Sequence, residues 1–176
     1  MPNDNITIQE AELEDAQQLR QFLQKISQET DFITETENIS QATEHEIADF
    51  IFNQSQEISS ICLLLKVEEE IAGLVNITAG SLPSNAHIGE LFIAVSKKYQ
   101  GFGLGSELMT LAMEWAEQTP ELLKIAFEVQ VRNEVALKLY QGFDFDIEGR
   151  RKMGIKSKDG ELLDVYLMGK CLTNNK

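Results

Sequence analysis

His87-Ile88-Gly89-Glu90-Leu91-Phe92-Ile93-Ala94-Val95, Ser96-Lys97-Lys98-Tyr99 and Gln100-Gly101-Phe102-Gly103-Leu104-Gly105-Ser106 run without a break into a helical pattern ending near Trp115. Physically this is an apolar strand, a short turn, glycines at three alternate positions and an amphipathic helix. Glycine lets the backbone approach a ligand closely and take φ > 0. The helix that follows offers unpaired main-chain N–H groups and the positive end of its dipole at the same place. Such a site suits phosphate.

Three phosphate-binding patterns compete for this loop, beside a glycine-rich strand-to-helix turn that binds nothing. A P-loop needs Lys-Ser/Thr after its last glycine; here Gly105 is followed by Ser106 and Glu107. A dinucleotide fingerprint needs G-x-G-x-x-G on the first strand of a βαβ unit. From Gly101, Ser106 stands at the third glycine, and a long stretch of chain comes first. The third pattern, Q-x-x-G-x-G, is met by Gln100, Gly103 and Gly105.

The chain has 176 residues, 43% hydrophobic and 25% charged, the size and balance of a single globular domain spanning residues 1–176. Its formal charge is −14. A surface this acidic repels nucleic acid and anionic membrane and attracts protonated amines. Thirteen acids stand against Arg20 and Lys25 in residues 1–57, so most of the charge lies there. The start, Met1-Pro2-Asn3-Asp4, lacks a basic region and an apolar signal core, and no apolar run is long enough to span a membrane. Cys62 and Cys171 have no metal spacing, and Cys62 reads as a small core residue. Together these suggest a cytoplasmic, reduced protein without a metal. Monomer and homodimer both stay open.

Working outward, Asn5 to Gln9 alternates as a first strand, and residues 12–28 carry Leu13, Ala16, Leu19, Phe22, Leu23 and Ile26 at helical spacing. Residues 30–40 read as a loop. Thr43 to Glu46 forms a capping box ahead of Ile47, Phe50 and Ile51. Ser60–Val67 and Ile71–Ala79 make a hairpin around Glu68-Glu69-Glu70. Gly80 to Asn85 breaks the chain before the central strand. Leu104, Leu108, Leu111, Ala112, Trp115 and Ala116 form the buried face of the next helix, which Thr119-Pro120 ends. Lys124–Val131 is a strand with Ile125, Phe127 and Val129 on one side. A helix with Val135, Ala136, Leu139 and Tyr140 follows, then strands at Phe145–Ile155 and Leu162–Met168, then a polar tail. The order β-α-α-β-β-β-α-β-α-β-β predicts an α/β protein with helices on both faces of a sheet.

The glycine loop, together with Asn133, Ala136 and Tyr140 as N-x-x-A-x-x-x-Y, resembles the coenzyme site of the GNAT N-acetyltransferase superfamily. Also similar to one bacterial branch are His87, Gly89-Glu90-Leu91, Ile93 and Val95, and Glu148-Gly149-Arg150-Arg151, Asp159-Gly160, Asp164 and Leu167-Met168 downstream. The likeness covers residues 60–170. It implies a mixed, mostly antiparallel sheet of about seven strands splayed into a V, with acetyl-CoA in the V as cosubstrate. It implies pantetheine bonding along Ile93, Ala94 and Val95, and pyrophosphate on the main chain of Gln100, Gly101, Phe102, Gly103, Leu104, Gly105 and Ser106. Asn133, Ala136 and Tyr140 would complete the coenzyme side.

The implied reaction is direct attack of a primary amine on the thioester through a tetrahedral intermediate. A main-chain N–H near Val95 would hold the oxyanion, and Tyr140 would protonate the leaving thiolate. Glu90 and His87 are the candidates for a base, and a spacing of three puts them on opposite sides of a regular strand. The acceptor would be a small cationic amine or a peptide or protein amine. A non-catalytic acyl-CoA-binding domain is the alternative, followed by an ATP or NAD enzyme. One departure stands out: Asp144 occupies the position before Phe145 where the family places a left-handed glycine, leaving Asp144 or Gly142 to end the helix.

Overall fold

The computed structural model describes residues 5–33 and 40–173, so residues 34–39 of the expected loop and the end of the polar tail lie outside the described residues. Strand β1 is Ile6–Glu10. A 3-10 turn at Leu13–Asp15 leads into α1, Ala16–Glu29, and α2 is Glu44–Gln56. Strands β2, β3 and β4 are Ile61–Val67, Glu70–Ala79 and Ile88–Val95. Helix α3, Leu104–Glu117, precedes β5, Lys124–Gln130, and α4, Glu134–Gly142, precedes β6, Asp146–Lys156, and β7, Leu162–Cys171. The order of elements is the expected one.

The seven strands form one sheet in the order β1-β2-β3-β4-β5-β7-β6. Every neighbouring pair is antiparallel except β4 and β5. Strand alternation sorts side chains between two cores. Leu63, Leu65 and Val67 of β2 join Leu108, Met109 and Ile125 in the core under α3 and α4. Cys62 and Leu64 join Leu19, Ile26 and Ile47 under α1 and α2. A strand buried on both faces reads as an unbroken apolar run, as β2 does.

The first acids of the chain have structural work. Glu12 and Asp15 close a capping box, and Asp15 pairs with Lys66 at 2.7 Å, both nearly buried. Thr43 and Glu46 form the expected box at α2, with the Glu46 N–H donating to Thr43 Oγ1 at 3.2 Å. Two expected core positions fall outside. Leu13 is exposed because the chain there is a 3-10 turn rather than the first turn of α1. Leu111 is also exposed, while Met109 and Met113 are buried. The buried stripe is centred on Ala112, and Leu111 lies one residue, about 100°, round from it. Val135 points to solvent from the first turn of α4.

Asp144 settles the end of α4. Its φ is 62°, in the left-handed region, while Gly142 remains helical. The Phe145 N–H donates to Tyr140 O at 3.1 Å and the Asp144 N–H to Gln141 O at 3.1 Å. These are the two crossed bonds of a Schellman stop, whose apolar contact is usually made between the same outer positions. Here that contact is ring to ring, Tyr140 and Phe145 lying 6.3 Å apart. Asp144→Gly removes the Cβ clash of the left-handed conformation but loosens the unfolded chain. The net expectation is a gain of about 0.5 kcal/mol, read as a Tm rise of about 1–2 °C. A Tm that falls shows that the Asp144 side chain itself stabilises the stop.

Candidate functional site

The site begins where β4 and β5 part. Their parallel ladder has only three registered pairs: Ile88 with Lys124, Gly89 with Ile125, and Glu90 with Ala126. A Cβ on Gly89 would stand 2.6 Å from Ile77 and 2.9 Å from Ile125, so only glycine lets the strands meet that closely. Beyond Glu90 the strands diverge, while β4 stays paired to β3 up to Val95. The Gly80 N–H donates to Ile88 O, and the Ser96 N–H to Ala72 O, with unbroken register between. Even-numbered residues of β4 therefore bond β3, and the main-chain groups of Ile93 and Val95 face the gap. Ala94 turns its own main-chain groups to β3.

At the mouth of the gap lies the glycine loop. Gly101 and Gly103 have φ of 83° and 81°, and a Cβ on either would meet nothing within 4 Å. The cradle is thus glycine-dependent and open. The Ser106 N–H bonds Gly103 O at 3.0 Å, and the Gln100 N–H makes a long bond to Lys97 O. Between them, the N–H groups of Gly101, Phe102, Gly103, Leu104 and Gly105 have no main-chain acceptor among the described residues. They form a concave cluster of donors at the start of α3, suited to a diphosphate. The Gln100 side chain does something else: its Nε2 donates to Val95 O at 2.8 Å, tying the loop to the end of β4.

On the far side of the gap, Asn133 caps α4, its Oδ1 accepting from the Ala136 N–H at 3.2 Å. That occupies the Ala136 N–H and leaves the Asn133 amide NH₂ without an acceptor among the described residues. Tyr140 is buried against Phe127, ring centroids 4.3 Å apart. Burial pushes its hydroxyl up to about 12 from the ordinary 10.0, so the phenol keeps its proton throughout the physiological range.

The opposite face of the fork opens into a cleft of about 1000 Å³. Leu23 of α1, Ile47 and Phe50 of α2, Asn76 and Thr78 of β3, and Glu90 and Phe92 of β4 line it. Phe127, whose ring packs on Tyr140, also contributes to the lining. Of the two candidate bases, Glu90 lies in the cleft lining and His87 does not. His87 precedes β4 and supplies its carbonyl to the N–H groups of Leu123 and Lys124.

Glu46, Glu128 and Glu148 also line the cleft and were not singled out from the sequence. Glu128 could be placed by its parity with Ala126 on β5, but Glu46 and Glu148 arrive only through packing. Also missed was Gln130, fully buried at the end of β5. Its amide donates to Asp31 O at 2.7 Å and accepts from Arg132 Nε at 2.8 Å, fixing the start of the segment after α1. No group of metal-ligating side chains occurs among the described residues.

A family model for the acetyltransferase (GNAT) family matches residues 19–145, the span from α1 through the Schellman stop. The chain belongs to the GNAT acetyltransferase family. A solved GNAT-family acetyltransferase from Streptococcus pneumoniae is 40% identical, with a TM-score of 0.90 over 96% of this chain and 99% of that one. The protein yncA from Salmonella typhimurium, solved with its cofactor acetyl-CoA, shares the fold at a TM-score of 0.86 and 17% identity, covering 98% of this chain and 96% of that one. The L-amino acid N-acetyltransferase AaaT of Escherichia coli K12 is 27% identical over 61% of this chain and 66% of its own length, just under two thirds of that relative. The V-shaped mixed sheet is thus the GNAT fold.

The cradle gives a direct test. Gly103→Ala places a Cβ in the left-handed region, at a cost of about 1–2 kcal/mol, and fills the open side of the loop. CoA affinity measured by calorimetry is expected to fall at least about tenfold, or 1.4 kcal/mol. Gly142→Ala, inside α4 with open space around it, is the control: it leaves affinity unchanged and raises Tm.

Proposed function

We propose that this protein transfers the acetyl group of acetyl-CoA to a primary amine, with the amine entering from the α1/α2 side of the fork and the coenzyme from the α3/α4 side. The observation that carries the reading is the fork itself. Three paired residues hold β4 and β5 together, and the main chain of Ile93 and the Val95 N–H, with no strand beside them, follow directly. A glycine cradle lies at one end of that gap and an apolar cleft on the other side of the sheet.

The residues present fit the coenzyme. The donors from Gly101 to Gly105 suit its diphosphate. Ile93 and Val95 can bond its amide arm as an added half-strand would, and the Asn133 amide faces the same arm. Acetyl-CoA supplies a thioester, whose carbonyl carbon is the electrophile. Everything else falls to the chain. The Val95 N–H, aimed at the gap, is a donor for the carbonyl oxygen as it gains charge. Tyr140 holds a proton for the departing sulfur. A hydroxyl at about 12 transfers that proton less readily than an ordinary phenol, but it never loses it early.

Glu90 is the group that takes the ammonium proton of the acceptor, directly or through water. It lies at the last β4–β5 pair and lines the cleft. His87, outside the cleft lining, is left with its main-chain contacts to Leu123 and Lys124.

Tyr140→Phe is expected to lower kcat by about 10²-fold with coenzyme KM little changed; an unchanged kcat removes Tyr140 from the acid role. Because burial keeps the phenol protonated to about 12, kcat in the wild type should show no fall near pH 10 on its account. An alkaline limb at the ordinary tyrosine value, abolished in Tyr140→Phe, is the contrary result. Glu90→Gln should lower kcat/KM by about 10²-fold near neutral pH and recover part of the loss at higher pH, where free amine is plentiful. His87→Ala should stay close to wild type in the same assay.

A further inference from the structure

The chemistry of the cleft narrows the acceptor, an inference that rests on the acetyl-transfer reading above. Among the described residues four carboxylates line the cleft, but they are not equivalent. Glu128 pairs with Arg151 at 2.6 Å, and Glu148 with Lys124 at 2.6 Å. Both are neutralised pairs. Glu46 is held at the start of α2, where its Oε2 accepts from the N–H and hydroxyl of Thr43. Glu90 has no hydrogen bond or ion pair among the described residues.

Apart from Asn76, Thr78 and Asn85, the rest of the wall is apolar. Leu23, Ile47, Phe50, Leu74 and Phe92 converge on the same space, and among the described residues no lysine, arginine or histidine lines it. Glu90 and Phe92 are two apart on β4, so their side chains share one face of the sheet. An ammonium group beside Glu90 therefore has its own substituent against Phe92 and the inner faces of α1 and α2.

We infer that the acceptor is a primary monoamine with an aliphatic or aromatic body and no carboxylate next to the amine. A second or third ammonium, as in a polyamine, finds Glu128 and Glu148 already paired and Glu46 already bonded to its cap, and otherwise lies against leucine, isoleucine and phenylalanine side chains. A carboxylate beside the amine, as in a free amino acid, would meet Glu90 and find no cation in the lining. The nearest cations, Lys124 and Arg151, are already committed to Glu148 and Glu128. The apolar wall rewards a hydrocarbon body instead.

The test uses the full chain with acetyl-CoA and measures release of CoA thiol. The acceptors are a ladder of n-alkylamines from ethylamine to hexylamine, then phenethylamine, phenylalanine and spermidine. The expected result is a rise in kcat/KM of about two- to four-fold for each methylene buried. Phenylalanine should run at least about tenfold below phenethylamine, and spermidine below hexylamine, each tenfold being 1.4 kcal/mol. Phe50→Ala, a truncation in the cleft wall, should flatten the ladder, lowering hexylamine more than ethylamine. Transfer that favours spermidine or phenylalanine, or a flat ladder in the wild type, overturns the acceptor class and leaves acetyl transfer standing. Bound CoA with no thiol release from any amine overturns both.

Discussion

One pairing decides how this molecule is built: two parallel strands that bond for three residues and then separate. Main-chain polar groups in a sheet interior are costly to leave unpaired, and the odd-numbered groups of β4 beyond Glu90 are left without a neighbouring strand. The protein tolerates this because β4 keeps its full ladder to β3 on the other side. It also answers part of the deficit itself, through the Gln100 amide on Val95 O. What remains unpaired is a row of donors and acceptors at fixed spacing, which is what an extended amide chain needs.

Around that row, rigidity is concentrated at a few places. Gly89 allows the close contact that holds the base of the fork. Gly101 and Gly103 turn the chain so that the first N–H groups of α3 point outward. On the other side, the Schellman stop at Asp144 fixes Tyr140 through two crossed main-chain bonds and the Tyr140–Phe145–Phe127 ring cluster. Tyr140 can be placed this firmly because its ring, not its hydroxyl, carries the packing. The same burial that positions the ring holds the hydroxyl protonated.

Much of this is legible in the residues. The order of elements follows from periodicity, and the two ends of the proposed coenzyme side are marked by the glycine spacing and, through the family resemblance, by Asn133 and Tyr140. The residues that escape sequence reasoning escape it for definable reasons. Leu111 and Met109 both fit a three-or-four spacing, and only the direction of the neighbouring sheet chooses between them. Asp144 or Gly142 could each end α4; the choice depends on Phe145 reaching back to Tyr140. Glu46 and Glu148 stand about a hundred residues apart and share a cleft only because α2 and β6 both reach the face of the sheet that β4 presents there. The acid-rich first third suggests a cationic acceptor from bulk charge alone. In the fold, some of those acids have other duties, Asp15 turning inward to Lys66 and Glu46 bonding its cap at the surface.

That last point changes how charge should be read in a protein like this. A formal charge of −14 describes the field felt by a ligand at a distance. What a ligand meets on contact is set by which carboxylates still lack a partner. Of the four acids that line the cleft among the described residues, two have cations of their own, so the local field is weaker than the surface average implies. On the proposed reading, long-range attraction brings amines of any size, and the cleft wall then sorts them by what hangs from the nitrogen. Selectivity would then be a matter of desolvation more than of charge, with Glu90 the fixed point against which that sorting is done.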